Sequence, residues 1–137
     1  MSEKTILIAD DSEFILKTLQ LRVQSAGYRA ITALDPGEAL AKMRTEDPDV
    51  IIMDINFPPD VGFGGGGTWD GFRILEWMKH TGECKNAVLI IITSEDIERH
   101  QERAAEAGVA AVFQKPIDAK ALLSKIKECL GEVPVAS

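Results

Sequence analysis

Residues 5–11 read TILIADD, and residues 49–54 read DVIIMD. Each stretch contains a short apolar run of the kind that forms a strand buried on both faces, and each ends in aspartate. In a doubly wound α/β sheet, the carboxyl ends of neighbouring parallel strands border one crevice, and ligands bind there. We therefore expect Asp10, Asp11 and Asp54 to converge on a single site.

Three carboxylates at one site have a chemical consequence. Like charges at close range repel, so each group resists ionisation unless a cation lies among them. Oxygen ligands at a half-open site favour a hard ion, which makes Mg²⁺ (or Mn²⁺) the expected cofactor. Such an ion usually keeps several waters and is completed by a substrate phosphate. The acids therefore indicate phosphate chemistry.

The rest of the chain alternates strand and helix, which predicts an α/β fold: a five-stranded doubly wound parallel sheet with five helices. Ser12 and Pro36 are start signals for the first two helices, and Gly27 and Pro48 are their stop signals. The predicted strands cover residues 5–10, 28–33, 50–53, 87–92 and 110–114, and the last three helices cover residues 71–80, 96–107 and 118–130.

The length and net charge of the chain limit the classes of function that it could have. At 137 residues the chain fits one domain. Its formal net charge of −7 argues against direct nucleic-acid binding, which needs a concentrated basic face. No apolar run approaches the ~20 residues of a membrane span, and the N-terminus leads into a strand rather than a signal-peptide core. We expect a cytoplasmic protein with no membrane partner.

Cysteine and histidine show no recognisable motif. Cys84 and Cys129 are far apart and lack a second ligand at metal spacing, so we interpret them as reduced thiols. His80 and His100 lack a partner at nucleophile or metal spacing, and we expect both to be solvated helix residues.

Six short motifs carry a family resemblance. They are IADDS at 8–12, IMDI at 52–55, DGF at 70–72, IITS at 91–94, AG at 107–108 and QKP at 114–116. With these motifs in this order, the chain resembles the receiver domains of bacterial two-component response regulators, the CheY-like form of the flavodoxin-like fold. The resemblance implies a receiver domain over residues 1–131, followed at 132–137 by a disordered tail or the start of a linker.

The resemblance also implies how phosphate is received. Asp54 would be the nucleophile and would take a phosphoryl group from the phosphohistidine of a sensor histidine kinase or histidine phosphotransfer protein. Asp10, Asp11, Asp54 and the backbone carbonyl of Asn56 would hold the metal, Asp11 directly and Asp10 through water. The domain would then signal by conformational change to a downstream protein target, with a homodimer as one possible form.

Further residues have implied roles around the phosphoryl group. Thr93 and Lys115 would contact its oxygens, and Pro116 would follow a cis peptide bond that aims Lys115 inward. Asn56 and Glu95 would flank the path of the water that hydrolyses the acyl phosphate, and so set its lifetime. The domain would assist only its own metal-dependent phosphorylation and dephosphorylation, and would not be an enzyme.

Two features depart from the family pattern. The Gly-rich stretch at about 56–70 is longer than the usual connection there, and is either a flexible insertion or a lid or partner-reading loop. Val112 occupies a position where the family usually has Tyr or Phe, while Phe113 is predicted on the opposite face of its strand. Readout through an inward-moving ring is therefore doubtful.

Two other functions stay open at this stage. A haloacid-dehalogenase-like phosphatase also uses an Asp nucleophile, Mg²⁺, a hydroxyl and a lysine. Its nucleophile, however, belongs to an Asp-x-Asp motif on the first strand, whereas Asp10 and Asp11 are adjacent. A degenerate receiver that acts only as a binding module is disfavoured by the intact set of acids, hydroxyl and lysine.

Overall fold

A computed structural model describes residues 3–55, 71–82, 84 and 86–131. Strands and helices alternate throughout this part of the chain. The strands are β1 (Thr5–Ala9), β2 (Arg29–Ala33), β3 (Val50–Asp54), β4 (Val88–Thr93) and β5 (Ala111–Gln114). The α-helices are α1 (Glu13–Ser25), α2 (Pro36–Glu46), α3 (Gly71–Thr81), α4 (Gln101–Ala107) and α5 (Ala119–Cys129). The predicted fold class is therefore confirmed.

The strands form one parallel sheet in the order β2-β1-β3-β4-β5. The chain adds β2 on one side of β1 and then crosses to place β3 on the other side. Ile8 of β1 lies opposite Ile52 of β3, so these strands end side by side. This reversal of direction between β1 and β3 is a topological switch point, where ligands of such sheets bind.

Helices cover both faces of the sheet. One face packs against α2, α3 and α4, and the other against α1 and α5. Strand residues alternate between the two cores, as the two-residue period of a strand requires: Leu7 and Ile51 face one core, and Ile8 and Ile52 face the other. The central strands β1, β3 and β4 are mostly apolar because helices cover both faces of the sheet there.

The helix signals read from the sequence correspond to real hydrogen bonds. Ser12 Oγ accepts from the Ile15 N–H at 3.3 Å, and Asp35 Oδ1 accepts from the Glu38 N–H at 2.8 Å, directly before Pro36. These contacts satisfy donors that a helix start leaves without intrahelical partners.

The fourth helix differs from its predicted span of residues 96–107. A short 3₁₀ helix, Ile97–Arg99, comes first, and α4 begins only at Gln101. His100 between them has φ −116° and ψ −3°, outside regular helix geometry, which separates the two segments. The other differences are of one residue at strand and helix ends, within the usual scatter of boundary assignment.

Three sequence predictions fall partly or wholly outside the described residues. They concern the Gly-rich stretch at about 56–70, Asn56 within it, and the tail at 132–137. Across the described residues, no helix combines the length and apolar character that a membrane span requires.

Candidate functional site

The acids that end neighbouring strands do converge. Asp10 directly follows β1 and Asp54 ends β3, its neighbour in the sheet. Single carboxylate oxygens of Asp10, Asp11 and Asp54 all lie within 4.8 Å of one another. The convergence expected from the ends of parallel strands is therefore present in the structure.

The three acids differ in their exposure to solvent. Asp10 is 0% exposed and Asp54 is 2% exposed, whereas Asp11 is exposed. Asp10 Oδ1 accepts a hydrogen bond from the Ser12 N–H at 2.9 Å, which ties it to the start of α1. Burial raises the pKa of Asp10 above its usual value, although Lys115 and the Ser12 N–H oppose this shift.

Lys115 supplies a positive charge among these acids. Its Nζ lies 2.8 Å from Asp10 Oδ2 and 3.3 Å from Asp54 Oδ2. Burial alone would lower the pKa of Lys115, but the contact with Asp10 and the charges of Asp54 and Asp10 raise it. The Lys115–Pro116 peptide bond is cis, as the family resemblance implied. Lys115 is therefore a stable cation that bridges the two buried acids.

Thr93 places a hydroxyl at the same edge of the sheet. It ends β4, next to β3, and is 0% exposed. Its Oγ1 accepts a hydrogen bond from the Glu95 N–H at 3.0 Å, and its carbonyl oxygen accepts from the Lys115 N–H at 2.7 Å. Because the oxygen is the acceptor in the first bond, the hydroxyl hydrogen can serve as a donor.

Glu95 lies at this edge in an arrangement that the sequence did not reveal. Its Oε2 is 3.4 Å from both Arg99 Nη1 and His100 Nε2. The expectation that His100 is solvated is therefore wrong: its side chain is 16% exposed. The i, i+4 spacing of Glu95 and Arg99 was visible in the sequence, but the contact with His100 depends on the change of helix type between them.

The remaining sequence expectations concern residues outside the acid cluster. His80 is exposed, as predicted, and neither Cys84 nor Cys129 forms a disulfide. Val112 packs against the core under α2, α3 and α4, whereas Phe113 packs against the core under α1 and α5. The prediction that these two side chains lie on opposite faces is confirmed.

The donor set fits a hard divalent cation. All ligand atoms in the cluster of Asp10, Asp11 and Asp54 are carboxylate oxygens, the type that Mg²⁺ prefers. Two of the acids are buried and the third is exposed, so the cluster is open on one side to water or phosphate. The raised pKa of Asp10 is the behaviour expected of a buried acid whose charge is incompletely balanced.

Residues 6–127 match the family model described as the response regulator receiver domain. This chain belongs to that family. A phosphoacceptor function in two-component signalling follows, and its partner classes are histidine kinases or phosphotransfer proteins and downstream targets. The fold and function predicted from the sequence motifs are confirmed.

Individual relatives support this assignment of the receiver domain. The polar-differentiation response regulator DivK of Brucella anthropi is 28% identical over 129 residues, which cover 94% of this chain and 98% of that protein. A CheY-like receiver domain protein from Methanospirillum hungatei JF-1 has a TM-score of 0.81 and 29% identity, with 95% of each chain covered. The chemotaxis protein CheY4 of Vibrio cholerae has a TM-score of 0.80 and 26% identity, covering 93% of this chain and 99% of that one.

Proposed function

We propose that Asp54 is the residue of this receiver domain that accepts the phosphoryl group. The observation that carries the proposal is the convergence of Asp54 with Asp10, Asp11 and Lys115 at the switch point of the sheet. Asp54 is the acid that ends a central strand, and it lies opposite the Asp10–Asp11 pair. A nucleophile at this place is reached from the crevice beyond the strand ends.

Phosphoryl transfer would proceed by direct attack. A carboxylate oxygen of Asp54 forms a bond to phosphorus while the bond from phosphorus to the donor's histidine nitrogen breaks, and the electron pair stays on that nitrogen. The product is an aspartyl phosphate. Lys115, already 3.3 Å from Asp54, would contact a phosphoryl oxygen as a point charge, and Thr93 would donate its hydroxyl to another.

Asp10, Asp11, Asp54 and the backbone carbonyl of Asn56 would hold Mg²⁺ or Mn²⁺. A bound divalent cation offsets the repulsion between the carboxylate and the anionic phosphoryl group. Asp10 already uses Oδ1 to accept from Ser12 and Oδ2 to contact Lys115, which favours a ligand role through water. Asp11 is exposed and suits direct contact. Asn56 lies outside the described residues.

The domain would not turn over a separate substrate. Glu95 and Asn56 would border the water path and set the lifetime of the phosphoryl group, so that hydrolysis ends the signal. A sensor histidine kinase or histidine phosphotransfer protein would be the donor, and a downstream protein, or a second copy of this chain, would receive the output. The cytoplasmic location expected from the sequence stays a prediction.

The direct test measures the intact mass after incubation with acetyl phosphate and Mg²⁺. We expect the wild type to gain one phosphoryl group and Asp54→Asn to gain none. Asp11→Asn is the matched control, because it removes a neighbouring carboxylate and leaves the nucleophile in place. It should gain the group more slowly, at the same position.

Three outcomes would contradict the proposal. If Asp54→Asn still gains the group, the nucleophile is another residue. If the wild type gains nothing with acetyl phosphate or with a phosphorylated histidine donor, the degenerate binding module is the better description. Continuous release of phosphate from many equivalents of a small phosphate ester would instead indicate the haloacid-dehalogenase-like phosphatase.

A further inference from the structure

Strand β2 lies at one edge of the sheet. Among the described residues it pairs with β1 alone, so its outer side carries backbone groups that β1 does not use. An open edge of this kind is a template to which a strand from another chain can add. Whether a second chain can add there depends on what these outer groups already contact.

The hydrogen bonds to β1 show which backbone groups of β2 point outward. The Arg29 N–H donates to the residue before β1 at 2.9 Å, and the Ala33 carbonyl accepts from the residue after β1 at 3.1 Å. Successive residues of a strand turn their backbone groups to opposite sides. Ala30 and Thr32 therefore direct their N–H and carbonyl groups away from the sheet.

Both outward carbonyls accept a hydrogen bond from a side chain. Gln20 Nε2, on α1, donates to the Ala30 carbonyl at 3.3 Å, and Lys42 Nζ, on α2, donates to the Thr32 carbonyl. Because α1 and α2 pack on opposite faces of the sheet, the two side chains reach the edge from both sides. A strand that added here would find both carbonyls occupied.

Three residues of α2, spaced four apart, follow the same edge. Glu38 Oε1 accepts from the Leu34 N–H, just beyond β2, at 3.3 Å and lies 3.5 Å from Lys42 Nζ. Glu46 forms an ion pair with Arg29 at the start of β2. Residues four apart share one face of a helix, so α2 places alternating charges along the whole edge. Charged side chains are one means by which proteins protect an open edge.

We propose that Gln20 and Lys42 close the β2 edge against strand addition by a second copy of this chain. A second copy is the relevant partner because it presents the same edge, and two β2 strands related by a two-fold axis would join two sheets. The two side-chain donors occupy the carbonyls that this pairing needs. The proposal does not depend on the phosphoryl chemistry of Asp54.

The test removes both side-chain donors. The edge variant, Gln20→Ala with Lys42→Ala, is compared with the wild type and with a matched control, Lys17→Ala with Gln24→Ala. The control loses the same two residue types from exposed positions on α1. Each double variant loses one lysine, which makes the net charge of −7 more negative and strengthens repulsion between copies. Stronger association of the edge variant would therefore not result from weaker charge repulsion.

Hydrogen exchange of the outward amides locates the association. The N–H groups of Ala30 and Thr32 point away from β1, so an added strand would protect both. Between dilute and millimolar protein, their exchange should slow by at least about threefold in the edge variant. It should not change with concentration in the wild type or in the matched control. Sedimentation of the same samples should show added dimers or larger oligomers in the edge variant alone.

Two outcomes would overturn the proposal: exchange at Ala30 and Thr32 that does not vary with concentration in the edge variant, or equal slowing in the matched control. Circular dichroism checks that each variant is folded, and Lys42→Ala alone carries the test if the edge variant is not. Lys42→Arg keeps a charged donor and should behave as the wild type. If its exchange slows as much as that of Lys42→Ala, the donor is not what protects the edge.

Discussion

The middle and the carboxyl end of the two central strands are equally buried and chemically opposite. Ile6–Ala9 of β1 and Val50–Met53 of β3 are all 0% exposed, and one residue further along each chain segment Asp10 and Asp54 are 0% and 2% exposed. Burying the apolar stretch stabilises the fold, whereas burying a carboxylate costs free energy unless its charge is balanced. Burial by itself therefore does not tell the two regions apart.

The two regions differ in what their buried side chains need. The apolar stretch needs only to be covered by helices, whereas a buried carboxylate also needs a partner that balances its charge. Asp10 contacts Lys115 and accepts a hydrogen bond from the Ser12 N–H, and its pKa is still raised. The strand ends therefore retain an unbalanced negative charge that a divalent cation and a phosphoryl group can use. Burial of the middle of the sheet stabilises the fold. The buried acids at its carboxyl end lower the stability but provide the groups for phosphoryl chemistry.

The largest expected effect contrasts two positions on β3. Ile52→Ala removes a fully buried side chain and should lower the free energy of unfolding by about 2–5 kcal/mol. Asp54→Asn, two residues later, should leave it unchanged or raise it, because it removes repulsion from Asp10. Urea unfolding in metal-free buffer measures both. An equal loss of stability in the two variants would remove the distinction between the regions.

The second prediction uses the raised pKa of Asp10. Its folded-state pKa lies above the usual 3.8, so the folded protein binds the proton more tightly, and this contribution to stability is lost as pH rises from about 4 through the folded-state pKa. Asp10→Asn does not titrate. Without metal, Asp10→Asn should therefore become more stable relative to the wild type as the pH rises from acidic to neutral.

Urea unfolding of both proteins at several pH values checks the sign of this effect. Mg²⁺ should reduce the difference, because a bound cation balances the ionised Asp10 of the wild type. If Asp10→Asn instead loses stability relative to the wild type as pH rises, the prediction is wrong. The attraction of Lys115 for the ionised Asp10 would then outweigh the desolvation of that carboxylate.

The third prediction concerns competition between Lys115 and the metal. Lys115→Ala removes a cation within 3.3 Å of Asp54, and we expect Mg²⁺ to bind about two- to tenfold more tightly, since tenfold corresponds to ~1.4 kcal/mol. Phosphoryl-dependent signalling should weaken at the same time. Lys120→Ala, at an exposed position on α5, is the control and should not change metal affinity. Weaker binding in Lys115→Ala would mean that Lys115 organises the acids instead.

The smallest effect is expected at an ion pair far from the buried acids. Arg29 and Glu46 form an ion pair whose side chains are 48% and 30% exposed. Arg29→Gln should change the free energy of unfolding by only about 0–1 kcal/mol, because water already solvates both charges. Thermal or urea unfolding at low and high salt provides the measurement. If Arg29→Gln lowers the free energy of unfolding as much as Ile52→Ala does, water does not replace the Arg29–Glu46 ion pair and the expectation is wrong.

Much of the architecture was predictable because its causes are local. The apolar runs before Asp10 and Asp54 mark buried strands, and Ser12 and Pro36 mark helix starts through contacts within one turn. The break at His100 was not predictable. A continuous periodic pattern cannot show that the first turn is wound as a 3₁₀ helix, since that depends on packing against β5 and α4.

For the candidate site, the sequence by itself determined which chemical groups are present and that strand ends bring Asp10, Asp11 and Asp54 to one edge. That inference needs only the strand pattern and the rule for parallel sheets. The tertiary structure decided that Asp10 is buried while Asp11 is exposed, that Lys115 lies nearer Asp10 than Asp54, and that His100 contacts Glu95. The physical reason is that burial and side-chain distance are set by packing between elements distant in sequence, which local periodicity does not encode.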